Sequence, residues 1–253
     1  MFTLGSDPEF FLEYKDKPIS AHDMVPGTKK KPEKLARGVA VQADGTAVEI
    51  NIKPAKTGKQ FQENTLDALE QVRGIVPKKF KFSMTPAVFF EPKYFSTLPD
   101  VAKELGCEPD FDANSQGAIN PTPKPAGKYE TMRTAAGHIH YGFTKDADIF
   151  SQSHRWDCVQ LALRSDSTFR PFMKNWDKDK DRIKLYGKNA CFRPKPYGVE
   201  YRALSVAWLK YPDLYPWIFD TAKFIHDGMV NGQSLYYGCP AFNTSMLEKE
   251  LSI

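Results

Sequence analysis

The sequence predicts an α+β fold, a mostly antiparallel sheet lining the active site with covering helices, and three observations carry that prediction. Short alternating segments crowd the first fifty-five residues, strands and helices do not follow one another in regular β-α order, and proline and aromatic residues are plentiful, with 19 prolines and 13% aromatics. The chain has 253 residues, 41% hydrophobic and 26% charged, enough for a real core, and reads as one domain over 1–253.

Residues 2–14 alternate around Pro8, and 19–21 is a brief strand. Segments 38–42 and 46–52 form a hairpin-like pair joined by Asp44-Gly45, a strong turn dipeptide. In the second of these, Val48, Ile50 and Ile52 alternate with Ala47, Glu49 and Asn51, so one face is apolar and the other carries Glu49 and Asn51. Over 60–76, Leu66, Leu69, Val72 and Val76 recur at helical spacing and predict an amphipathic helix stopped by Pro77. Residues 80–90 predict a strand, and 99–105 a short helix ending at Gly106. Residues 107–136 are dense in Pro, Gly, Asn and Asp and predict a long loop of the kind that often carries function. A strand over 135–143 is built around Gly137-His-Ile-His-Tyr-Gly142. Next, 151–163 places Trp156, Val159 and Leu163 on one helical face. A Lys/Asp-rich and then Gly/Pro-rich stretch over 174–195 leads to a strand at 198–204. A second covering helix over 212–229 holds Leu214, Trp217, Ile218 and Ile225 and breaks at Gly228.

Several classes of function drop out. A net charge of +4, from 35 basic and 31 acidic residues, is too mild to predict nucleic acid, though it suits an anionic small ligand such as a nucleotide. No segment approaches the roughly 18 apolar residues of a membrane span, and residues 1–10 lack a signal pattern, so no membrane partner and a cytoplasmic location are expected. Cys107, Cys158, Cys191 and Cys239 lie far apart with no Cys-x-x-Cys, which reads as reduced, half-buried thiols. Neither a phosphate-binding Gly-x-x-x-x-Gly-Lys-Ser/Thr nor a dinucleotide Gly-x-Gly-x-x-Gly occurs.

Four segments place polar groups two residues apart on predicted strands, hence on one face. Asp7 and Glu9 would repel unless a cation sits between them, although a solvated strand face explains them too. Glu49 with Asn51 is equally compatible with an outward face. His138 and His140, between glycines that let ligand oxygens approach the backbone, suit a metal with or without a phosphate, or a structural pair satisfied by carbonyls. Glu200 and Arg202 offer a carboxylate for metal and a guanidinium for phosphate, or an intrastrand salt bridge. Upstream, Arg182, Lys188, Arg193 and Lys195 would feed a polyphosphate or form a solvated basic loop. Together these strands would line one sheet face with ligands for two divalent ions.

In order along the chain, Gly5-Ser-Asp-Pro-Glu-Phe-Phe-Leu12, Asp44-Gly-Thr-Ala-Val-Glu-Ile-Asn51, Gly137-His-Ile-His-Tyr-Gly142 and Gly198-Val-Glu-Tyr-Arg-Ala-Leu204 resemble the phage amidoligase family, or phage-type carboxylate-amine ligase type 2. That family belongs with glutamine synthetase and glutamate-cysteine ligase, and the resemblance covers about residues 4–208. It implies a glutamine synthetase-like catalytic domain. It also implies one divalent ion on Glu9, His138 and Glu200, and a second on Asp7 and Glu49. His140 and Arg202 would contact ATP phosphates, with Arg182 and Lys188 as looser candidates. On this resemblance Glu9, Glu200 and Arg202 carry the catalysis. Where glutamine synthetase has Glu-x-Glu in its first strand, this chain has Asp7-x-Glu9, and Glu49 has no second acidic partner in its own segment.

The implied reaction is ATP-dependent amide formation through an acyl phosphate, requiring Mg²⁺ or Mn²⁺. Its partners are an amino acid, peptide or protein carboxylate and an amine, in the host cytoplasm if the chain is phage-encoded. Lys29, Lys30 and Lys31 and Arg133 are candidates to meet the substrate carboxylate, or a solvated loop in the case of the lysines. Two other readings stay open, metal-dependent hydrolysis and a non-catalytic binding or inhibitor protein on the same fold.

Overall fold

The computed structural model describes residues 2–105, 110–233 and 239–252. Strands β1 (Thr3–Ser6), β2 (Glu9–Tyr14), β3 (Lys17–Ile19), β4 (Glu33–Lys34), β5 (Ala40–Asp44) and β6 (Ala47–Ala55) precede helix α1 (Gly58–Ile75). Then come β7 (Lys81–Ser83), β8 (Ala87–Phe89), the short helices α2 (Pro92–Thr97) and α3 (Asp100–Lys103), β9 (Phe111–Asp112), β10 (Ala118–Ile119) and β11 (Met132–Thr134). The last part holds β12 (Ile139–Gly142), α4 (Gln152–Met173), β13 (Cys191–Lys195), β14 (Gly198–Tyr201) and α5 (Leu214–Val230).

Twelve of these strands share one sheet. Its main path runs β10-β9-β13-β14-β12-β1-β6-β2-β3, with β5 on β6, β4 on β5 and β7 on β2, while β8 and β11 pair separately. Every ladder between these strands is antiparallel, as the α+β reading expects. The Asp44-Gly45 turn closes the β5–β6 hairpin, with Gly45 at φ 58.

Three long helices cover the sheet, α1 against β6, α5 against β1, and α4 against β13 and β14. Helix α1 starts at Thr57, whose side chain accepts from the Gln60 N–H at 3.1 Å, while the Gln60 side chain accepts from the Lys56 N–H at 2.8 Å. It buries Phe61, Thr65, Ala68, Leu69 and Val72 and ends before Pro77. Between helices and sheet lie fully buried Phe10, Phe61, Tyr141, Phe169, Tyr201 and Trp208. Burying each such side chain contributes roughly 2–3 kcal/mol, so the core holds the strands in register beneath the site.

Some elements differ from the sequence reading. The strand expected over 80–90 is two strands in different sheets. Pro86 lies between them and has no N–H to give a ladder. Helix α4 runs past Leu163 to Met173, accommodating Pro171 in its last turn. Its buried face is His154, Cys158, Val159, Leu161, Ala162, Ser165 and Phe169, so Val159 lies inward as expected, and Trp156 faces outward at 57% exposure. Helix α5 continues through buried Gly228 to Val230. The expected loop over 107–136 holds β9, β10 and β11. The helix end at Gly106 and Cys107 lie outside the described residues. Cys158 and Cys191 are fully rather than half buried. No helix among the described residues is long and apolar enough to cross a membrane.

Candidate functional site

Antiparallel register assembles two rows of polar side chains. Across β13, β14, β12 and β1, Arg193 faces Glu200, Glu200 faces His140, and His140 faces Gly5. Across β5, β6 and β2, Gln42 faces Glu49 and Glu49 faces Glu9. Asp7 sits between the rows, where Pro8 separates β1 from β2. His138 and Arg202 lie just outside β12 and β14, so the spacing of two held for the pairs even where the ladder did not extend.

Backbone bonds pin these ends. Ser6 Oγ donates to the His138 carbonyl at 2.5 Å, Glu9 N donates to the Ala136 carbonyl at 2.8 Å, and Ala136 N donates to Glu9 Oε2 at 3.0 Å. Gly137 N donates to the Leu204 carbonyl. A Cβ at Gly137 would lie 2.3 Å from Trp208 Nε1 and 2.4 Å from the Ser205 carbonyl oxygen, so only glycine allows this approach.

The first cluster is Asp7, His140 and Glu200. His140 Nε2 is 2.9 Å from Asp7 Oδ1, and His138 Nδ1 is 3.2 Å from Glu200 Oε1 and 3.5 Å from Asp7 Oδ1. Cations surround Glu200: Lys195 Nζ at 3.0 Å and Arg193 Nη1 at 3.3 Å on Oε2, and Arg202 Nη1 on Oε1. Arg202 also reaches Asp110 through Nε at 3.2 Å. Burial works to raise the Asp7 and Glu200 carboxyls. For Asp7 the charge of His140 and hydrogen bonds from both histidines outweigh it, and for Glu200 the Arg202 guanidinium and His138 do, so both are held below the usual carboxylate range.

The second cluster is Glu9, Asp44 and Glu49, with no basic side chain in the triad. Burial and then the Asp44 charge raise the Glu9 carboxyl, against the His138 charge and the Ala136 N–H. Burial and then the charges of Asp7 and Glu9 push Glu49 well above the usual range. A divalent cation relieves such a cluster directly. The first cluster fits one as well. Asp7 Oδ1 and His140 Nε2 are buried and face one another, and carboxylate oxygen with imidazole nitrogen is a donor set that suits Mn²⁺ better than Mg²⁺.

All five expected metal ligands, Asp7, Glu9, Glu49, His138 and Glu200, therefore converge, but their grouping differs from the implied one. His140 joins Asp7 and Glu200, and Glu9 joins Glu49. Asp44 is the acidic partner that Glu49 lacked in the sequence reading. It was read only as a turn residue, although the hairpin register that sets Gln42 against Glu49 also places Asp44 on the Gln42 face. Asp110 carried no signal beyond its polar loop.

Arg182 is a correction. Its guanidinium is buried at 3% exposure and donates to the carbonyls of Arg202, Ala203 and Leu204, so it braces the segment behind Arg202 and has no face for a phosphate. Lys188 is exposed on its loop and enters neither cluster. Arg133 is committed to the carbonyls of Lys103, Glu130 and Met132 and lies over Phe95. It still lines a narrow cleft with Glu9, Asp44, Thr46, His138 and Arg202. Of the lysines, Lys29 pairs with Asp44 at 3.5 Å, and Lys30 and Lys31 are exposed.

No protein-family model matches the chain, and no curated protein does.

Proposed function

We propose that the chain is an ATP-dependent carboxylate-amine ligase of the phage amidoligase type, on a sheet like that of the glutamine synthetase catalytic domain. The observation that carries the reading is the joint placement of two acidic clusters and the trio Arg193, Lys195 and Arg202 on one sheet face.

Asp7, His140 and Glu200 would hold one divalent ion, and Glu9, Asp44 and Glu49 a second. Bound there, such ions supply charge neutralisation to a triphosphate. The chain's own part is to fix these ligands from below and to gather three cations, Arg193, Lys195 and Arg202, at Glu200 beside the first cluster. Cations gathered there favour an anion. A carboxylate oxygen of the substrate attacks the γ-phosphorus, the bond to the ADP oxygen breaks, and ADP leaves. The amine nitrogen then attacks the acyl carbon, the carbon–oxygen bond to phosphate breaks, and the nitrogen sheds a proton. Electrostatic preorganisation does the work, and no side chain forms a covalent intermediate.

The test is ADP release with Mg²⁺ or Mn²⁺ across a panel of amino acids and peptides, with hydroxylamine as the amine. A ligase yields a hydroxamate detectable by mass spectrometry, in an amount equal to the ADP formed. Hydrolysis of an amide without ATP would establish the hydrolase reading instead.

A further inference from the structure

We infer that Tyr197 is a positioning residue for the first cluster, holding the His140 ring so that Nε2 stays aimed at Asp7 and Glu200. The inference rests on the ligand reading of that cluster given above.

Tyr197 lies in the two-residue turn between β13 and β14, where Lys195 and Gly198 are paired. The turn is fixed from outside, because the Tyr197 carbonyl accepts from the N–H groups of Phe143 and Thr144 at 3.0 and 3.2 Å. Gly198 follows at φ 148, and a Cβ there would meet the Tyr141 carbonyl oxygen at 2.0 Å, so the turn seats tightly on β12. From this anchored point the phenol stacks on the His140 ring, with centroids 5.9 Å apart and planes 23° apart, and its hydroxyl is hydrogen-bonded to His140 Nδ1.

The opposite ring nitrogen, Nε2, is buried and pairs with Asp7 Oδ1 at 2.9 Å. An ion held between Asp7 and His140 would take the place of that contact, so the partner that orients the imidazole in both states is the one at Nδ1. A hydroxyl both donates and accepts. It therefore satisfies Nδ1 when the ring proton sits on Nε2 and also when it sits on Nδ1 with the Nε2 lone pair turned to a cation. A carboxylate or a carbonyl, the common partners of a metal-binding histidine, only accepts. Tyrosine thus keeps the ring in place before and after an ion arrives.

Tyr197→Phe keeps the stack and removes the hydroxyl, whereas Tyr197→Leu removes both. Two readouts are followed in the full-length protein: the imidazole ¹⁵N shifts of His140 without metal, and Mn²⁺ affinity by electron paramagnetic resonance. The expected result is a changed Nδ1 shift and a Mn²⁺ Kd raised by about tenfold in both variants, the usual size for losing an outer partner of a metal-binding histidine, with melting of Tyr197→Phe unchanged. A Tyr197→Phe protein that binds Mn²⁺ like the wild type, with Tyr197→Leu impaired, would show that ring packing alone matters and overturn the inference. If the wild type binds no Mn²⁺, the ligand reading falls. The ¹⁵N shifts then decide the positioning claim alone: unchanged shifts in Tyr197→Phe overturn it, and a changed Nδ1 shift upholds it.

Discussion

The two acidic clusters occupy neighbouring rows of the same sheet yet are balanced in opposite ways. Asp7 and Glu200 lie among His138, His140, Arg193, Lys195 and Arg202, and their carboxyls are held low against the pull of burial, Asp7 by the two histidines and Glu200 by Arg202 and the histidines. Glu9 and Glu49 share a half-buried row with Asp44, and desolvation with mutual repulsion holds them high. The first cluster is preorganised as an ionised site. The second is a store of repulsion that a proton or a divalent ion must relieve. The contrast teaches that charge density alone does not define a metal site, since the neighbouring cations decide which cluster gains more from an ion.

The largest effect expected is on turnover. Glu9→Gln and Glu200→Gln should each lower the rate of ADP release by about 10³-fold, the scale of losing a preorganised electrostatic contact. They should differ in stability. Glu200→Gln leaves three cations facing a neutral amide and should cost about 3 kcal/mol in urea denaturation, while Glu9→Gln should cost little. Equal stability losses in the two variants would erase the contrast.

Next in size is Arg182→Met. With three carbonyls deprived of their donor in a buried setting, it should lose about 3 kcal/mol of stability by the same measurement, with nucleotide affinity in the folded fraction unchanged. A weakened ATP affinity at full stability would restore Arg182 to the phosphate site.

A smaller effect separates the clusters by pH. The folded-state values of Asp7 and Glu200 are depressed, so their contribution is present above the ordinary carboxylate range and is lost as pH falls. Those of Glu9 and Glu49 are raised, so the metal-free protein is favoured in acid and loses stability as pH climbs past the ordinary glutamate value of 4.5 toward the raised ones. Glu49→Gln should therefore raise the metal-free melting temperature at pH 8 by about 2–4 °C, the shift that ~1 kcal/mol makes in a chain of this size, and do little at pH 4. A gain that is the same at both pH values would sink the assignment. The smallest effect contrasts two lysines: Lys195→Ala should raise the KM for ATP by about tenfold, one lost charge contact of ~1.4 kcal/mol, and Lys188→Ala by less than twofold.

Much of this was legible in the sequence where one rule governed. The alternation of Val48, Ile50 and Ile52 with Glu49, the Asp44-Gly45 turn and the stop of α1 before Pro77 each depend on residues a few positions apart, so local physics placed them. The ligand residue types were legible too, through spacing of two on strands. What was not legible depended on partners distant in the chain. Which histidine joins Asp7 is set by the register of β1 against β12, and Arg182 is buried because three carbonyls some twenty residues away need donors. Trp156 looked like a core residue because it keeps helical spacing with Val159 and Leu163, but the face that meets the sheet is the one carrying Cys158 and Phe169.

The most direct test of the central claim, that one sheet face carries two adjacent sites for divalent ions, is to count bound Mn²⁺ per chain by electron paramagnetic resonance in the wild type, Glu200→Gln and Glu49→Gln. Two ions in the wild type and one in each variant is the result expected. No bound ion in the wild type, or the same count in all three proteins, would contradict it.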